Sequence, residues 1–185
     1  MATIGESLDK LRRHMQESDF LEGKGLSNEV NIRMFCYNAK DEMTVRRFIE
    51  QITADSSLAC RILERNLYEV FLSLCEEQDI MDGILEMEEA YGSDYLLEQL
   101  QMSFGVDEYI GKIQYEPHQK GDILMLTGVG DVFPFMRVHS LLEALQPHFD
   151  DIPILVMYPG KYDGRFVRLF DKLEPNPYYR AFSIV

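Results

Sequence analysis

Two apolar runs without alternation, Ile123-Leu-Met-Leu126 and Ile154-Leu-Val-Met157, constrain this chain more than anything else in it. A strand with one wet face alternates apolar and polar residues, so a strand with neither gap nor alternation must be covered on both sides. Coverage on both faces belongs to parallel sheets sandwiched between helices. Asp122–Thr127 and Pro153–Tyr158 are therefore read as central strands, the second ending at Pro159-Gly160.

The remaining elements fit that frame. Thr3 and Glu6 have the spacing of a capping box ahead of a first helix carrying Leu8, Leu11 and Met15. Val30–Tyr37 alternates as a strand, and Val45, Phe48, Ile49 and Ile52 follow at helical spacing. Leu58–Leu67 is a second strand, with a helical stripe from Leu67 to Cys75 behind it. Ile80–Phe104 reads as one or two helices broken at Gly92-Ser93, and Val106–Ile113 as a short helix. After Gly128-Val129-Gly130, Pro134 suits a first helical position ahead of Val138, Leu141, Leu142 and Leu145. Asp163–Leu173 is read as an amphipathic helix with Phe166, Leu169, Phe170 and Leu173 on one face, and Tyr178–Val185 as a closing strand. The expectation is one α/β domain over 1–185. It has a mostly parallel sheet of about five strands, a degenerate P-loop or RecA-like outline, an N-terminal helix and linker over 1–25 and an acidic helical insertion over 76–116.

A chain of 185 residues buries about 70% of its unfolded surface, enough for a core without disulfides. Cys36, Cys60 and Cys75 are odd in number and far apart, which suits free thiols in a reducing compartment rather than zinc ligands. No apolar run approaches a membrane span, so a cytoplasmic protein is expected. The net charge of −14 is concentrated, because residues 64–116 hold 14 acids and two bases. Such a surface repels phosphate backbones and argues against direct nucleic-acid binding. It is either a solvated helical face or a docking surface for a basic partner.

An apolar strand entering Gly128-Val129-Gly130 and then a helix is where a phosphate-binding turn would lie. The residues after Gly130 are Asp131, Val132, Phe133 and Pro134, so the Lys-Ser/Thr pair of a P-loop is missing and an acid stands in the way. Gly128 and Gly130 are read first as turn glycines and second as an anion or nucleotide turn. On one helix, Arg137 and His139 would project about 160° apart, which keeps them from converging on one reacting atom. His139 then reads as a hydrogen-bonded core histidine, and Arg137 as the partner of an acid or an anion. Arg165, Arg168 and Lys172 form a basic stripe that could meet this chain's own acidic helices, an acidic partner or phosphate. Tyr178, Tyr179 and Arg180 combine residue types enriched at interfaces. No nucleophile elbow or close metal-ligand spacing occurs, and no cofactor is expected.

Three segments, in order, carry a resemblance: Leu126-Thr-Gly-Val-Gly-Asp-Val-Phe-Pro-Phe-Met-Arg137-Val-His139-Ser-Leu-Leu142, Val156-Met-Tyr158-Pro-Gly-Lys-Tyr162-Asp-Gly-Arg165-Phe-Val-Arg168-Leu-Phe170, and Tyr178-Tyr179-Arg180-Ala-Phe182. Together they resemble the BrxB family, a small component of bacterial BREX (bacteriophage exclusion) defence systems. The resemblance implies a place among proteins that methylate host DNA and block phage replication. These include an alkaline-phosphatase-like protein, a large P-loop ATPase and an adenine DNA methyltransferase. It carries over no catalytic residue. The expected function is a non-catalytic adaptor docking onto those proteins, with Arg137, His139, Tyr158, Tyr162, Arg165, Arg168, Tyr178, Tyr179 and Arg180 as candidate contacts. A degenerate nucleotide sensor is the first alternative. A hydrolase using Asp131, Asp163 or His139 at carboxyl strand ends is the second.

Overall fold

The computed structural model describes residues 3–23, 31–163, 166–174, 176–177 and 182–183. Expectations for Val30, Arg165, Tyr178, Tyr179 and Arg180 fall outside them. Five strands run parallel in the order β2-β3-β4-β1-β7: β1 Ile32–Tyr37, β2 Arg61–Asn66, β3 Asp122–Thr127, β4 Ile154–Tyr162 and β7 Phe182–Ser183. An antiparallel extension, β5 Phe166–Leu169 with β6 Asn176–Pro177, is appended to β4.

The central strands have no polar alternation because their alternate side chains enter two different cores. Ile123, Met125, Leu155 and Met157 pack against the face covered by α1 (Ile4–His14), α2 (Ser18–Leu21) and α3 (Glu42–Thr53). Leu124, Leu126, Ile154, Val156 and Tyr158 enter the opposite core. That side is built by α4 (Leu67–Glu77), α6 (Ser93–Ser103), α7 (Val106–Ile113), α8 (Val129–Val132) and α9 (Val138–Leu145). Helix α5 (Ile84–Tyr91) lies outermost and contains no fully buried residue. The capping box is present, with Glu6 reaching back to the Thr3 amide. The register of β2 on β3 is pinned where Arg61 stands opposite Asp122 and donates to it twice, at 2.7 and 2.6 Å. Burial pushes the Asp122 carboxyl up. The Arg61 guanidinium, the Gln119 amide and the Tyr115 hydroxyl outweigh this and hold it below its ordinary value.

Several expectations are corrected. Asp163–Leu173 is not a helix. Strand β4 runs on through Pro159-Gly160 to Tyr162 and pairs with β5, placing Gly160 opposite Leu169 and Tyr162 opposite Val167. Along β5 the burial has period two, with Val167 and Leu169 inside and Arg168 outside. Phe170 and Asp171 then take left-handed backbone (φ 56° and 58°), which no continuing helix tolerates. The basic stripe of Arg168 and Lys172 therefore does not exist as a helix face. Pro134 does not start a helix either. It lies in the turn after α8, and α9 begins only at Val138. Arg137 consequently precedes the helix with extended backbone (φ −99°, ψ 117°), so helical azimuths do not separate it from His139.

Candidate functional site

Gly128 closes β3 in the left-handed conformation (φ 68°). A Cβ there would stand 2.2 Å from Asn66 Oδ1. That oxygen accepts from the amides of Tyr68 and Glu69 and caps α4, so the end of β3 must lie directly against the cap. At Gly130 a Cβ would meet Phe170 at 2.8 Å and Pro159 at 3.2 Å. Both glycines are thus close-approach positions that lock the corner to β2–α4 on one side and to the β4–β5 hairpin on the other.

The carboxyl edge of the sheet beside this corner is a cavity of about 260 Å³ lined by Glu42, Glu50, Glu64, Glu69 and Asp131. Arg46 stands among them. Its guanidinium donates to Glu42 at 2.8 Å and to Asp131 at 2.5 Å. Glu42 also accepts from the Tyr37 hydroxyl at 2.7 Å, and Glu64 from Thr127 at 2.7 Å. Burial, and then the hydrogen bond to Glu42, push the Tyr37 hydroxyl up, so it stays protonated. Five carboxylates facing one internally paired guanidinium oppose a phosphate at the place where open α/β sheets usually hold it. The hydrolase candidates do not converge. Asp131 is held by Arg46, Asp163 accepts from the Phe166 amide at 2.8 Å, and His139 belongs to a different cavity.

That second cavity, about 180 Å³, opens between the corner, the start of α9 and the β5 turn. Its walls include Val129, Phe133, Met136, Tyr158, Leu169 and Leu173, with Arg137, His139 and Glu174 as its polar members. Of the expected contacts, Arg137, His139 and Tyr158 are brought together here, beside the glycine corner. His139 is half-buried rather than a core residue. Burial lowers its pKa, the Arg137 charge lowers it further, and Glu143 opposes them. Tyr158 is 2% exposed and lines this opening. Tyr162 and Arg168 lie apart from it on the hairpin, with Arg168 directed to solvent. The volume falls below the ~300 Å³ where small-molecule sites begin and suits a single apolar side chain.

Among the described residues no group of three or more His, Cys, Asp or Glu side chains is arranged to hold a metal. A wider hollow of about 620 Å³ at the amino edge of the sheet is bordered by α2 and by surface loops. Its enclosed histidine, His118, faces Asp151 at 2.5 Å and packs on Tyr115 and Phe149. Burial and the nearby Asp171 push the half-buried Cys36 thiol up to about 12, which removes it as a nucleophile near neutrality. No described helix is long and apolar enough to cross a membrane.

Sequence reasoning missed the far wall of the small cavity, Leu169, Leu173 and Glu174, because it lies on the misread hairpin segment. It weighed the acidic helices as a solvated face or a docking surface, but missed the apolar side chains exposed on them. Among the described residues the exposed large apolar side chains are Met43, Met81, Leu85, Tyr91, Tyr95 and Met102, and all but Met43 lie on that layer. The Tyr91-x3-Tyr95 spacing was the available signal.

A family model described as BREX protein BrxB matches residues 63–184, from β2 through the acidic helices and the glycine corner to the C-terminal strands. A BREX protein BrxB from Bacillus cereus (strain H3081.97) is 36% identical over 192 residues, covering 100% of this chain and 99% of that protein. Another from Escherichia coli O9:H4 (strain HS) is 28% identical over 185 residues, covering 96% and 90%. No solved structure matches the chain significantly.

Proposed function

Because this chain belongs to the BrxB family of BREX phage-defence proteins, we propose that it serves its system as a non-catalytic adaptor that docks onto other BREX components. One observation carries the reading. The carboxyl edge of the sheet, where an enzyme of this class would bind its substrate, is a carboxylate-lined cavity whose one arginine is already paired in the Glu42–Arg46–Asp131 contacts, with Thr127 paired to Glu64. The neighbouring apolar cavity, with Arg137 at its rim, suits an anchoring side chain from a partner better than a metabolite. The alkaline-phosphatase-like protein and the large ATPase are the first partners to test, with the methyltransferase next. Each is co-expressed singly with this chain and purified through it. Stable co-elution with at least one is expected, and a chain that elutes alone from all three defeats the proposal.

The parallel sheet with a glycine corner after β3 favours one other reading, a degenerate P-loop or RecA-like sensor that binds nucleotide without hydrolysis. Binding would raise the melting temperature as ATP or GTP is added. The carboxylates of the edge predict no shift at millimolar nucleotide, and a dose-dependent rise would favour the sensor over the adaptor.

A further inference from the structure

Between Arg65 and Lys112 the chain has no lysine or arginine at all. Helices α5 and α6 fall in this interval, and they carry exposed side chains that a solvated helix ordinarily avoids. Tyr91 is 68% exposed, Met102 75% and Leu85 63%. Helix α6 turns Leu96 and Leu100 inward, so its attachment to the core does not use Tyr95 or Met102. Those two are seven residues apart, which returns them to nearly the same side of the helix, and Glu98 lies between them on that side. The Tyr91 ring sits 5.0 Å from the Tyr95 ring, and Ser93 Oγ donates to Glu88 at 2.6 Å, fixing the two helices end to end. The result is an aromatic and methionine ridge on two helices whose own charges are all acidic.

Burying such a ridge benefits binding and contributes nothing to the fold of the chain alone. The charges select what can cover it. Nucleic acid and anionic lipid surfaces are repelled, and so is a second copy of the same acidic face. We infer that the α5–α6 ridge is the docking surface for a basic amphipathic segment of a partner protein. Apolar side chains of that segment cover Tyr91, Tyr95 and Met102, and its lysines or arginines meet Glu88, Asp94 and Glu98. Methionine suits this use because its side chain repacks around different apolar shapes. The acidic field steers the encounter and makes it salt-sensitive. The inference rests on the adaptor reading and gives it a surface and a partner chemistry.

The test uses the full chain against whichever purified BREX component co-elutes with it, by titration calorimetry. Two variants are compared with the parent, Y91S/Y95S/M102S and D94K/E98K, each first checked for an unchanged circular dichroism spectrum and a melting temperature within a few degrees. Both are expected to bind at least tenfold more weakly, and the parent to lose several-fold affinity between low and moderate salt. Hydrogen exchange in the parent complex should slow across Ile84–Ser103. Undiminished binding by both folded variants, or protection confined to the Arg137–His139 cavity, overturns this inference and leaves the adaptor reading standing. If no component binds the parent chain, both fall together.

Discussion

Strand β3 and helix α5 place similar side chains in opposite circumstances. All six residues of Asp122–Thr127 are buried, whereas none of the eight in Ile84–Tyr91 is fully buried. In β3 the apolar run is required by the fold, since helices cover both faces of the sheet. In the α5–α6 layer, Leu85, Tyr91, Tyr95 and Met102 are spent on solvent, and the core would close without them. An apolar residue therefore serves the stability of the fold in the first region and is not needed for it in the second, and only burial tells which.

Truncation gives the largest expected difference between the two. Leu124→Ala should cost about 2–5 kcal/mol of stability, because a fully buried leucine leaves a cavity between the sheet and its helices. Leu85→Ser should stay within about 0.5 kcal/mol of the parent. Urea unfolding at constant m-value measures both, and equal losses would erase the contrast.

A smaller effect separates the packed end of β3 from an exposed helix surface by sign. Gly128→Ala forces a Cβ onto Asn66 Oδ1 in a left-handed backbone and should destabilise by about 1–3 kcal/mol. Gly111→Ala, in the exposed part of α7 with open space around it, should stabilise by about 0.5–1 kcal/mol. A stabilising Gly128→Ala would mean that the corner is not locked against the α4 cap.

The smallest effect concerns the Arg137–His139 cavity. His139 titrates below its ordinary value in the fold, so the unfolded chain takes up the proton first as pH falls. Its share of stability is complete above the unfolded value of about 6.5 and declines below it. Arg137→Gln should move the His139 midpoint upward in an NMR titration, because it removes the second of the two lowering causes. An unmoved midpoint would show that the two residues do not share the cavity electrostatically.

Local signals made much of the architecture legible. The unalternating run gave β3 residue for residue, the Val106–Ile113 stripe gave α7, and Gly92-Ser93 marked the break between α5 and α6. The hairpin was not legible from periodicity, since Phe166, Leu169, Phe170 and Leu173 satisfy a helical stripe while β5 alternates. Asp163-Gly164, a dipeptide favoured in hairpin turns, was the signal that outranked it. The far wall of the small cavity went with that error. Arg137 was misplaced for a related reason, because Pro134 was read as opening a helix that begins at Val138. On α6, periodicity reveals two stripes, Leu96–Leu100 and Tyr95–Met102, and cannot say which one faces inward. That choice is made by tertiary packing.

The position of β1 in the sheet has a consequence for synthesis. Its register partners are Ile154–Pro159 of β4 on one side and Phe182–Ser183 of β7 on the other, both in the last third of the chain. A ribosome that has released β1, α3 and β2 has produced a hydrophobic strand with no neighbour to pair with. Both of its edges stay open until β4 emerges, and pairings of such sequence separation form slowly. In that interval the nascent chain depends on whatever shields Ile32–Tyr37 from other unpaired strands.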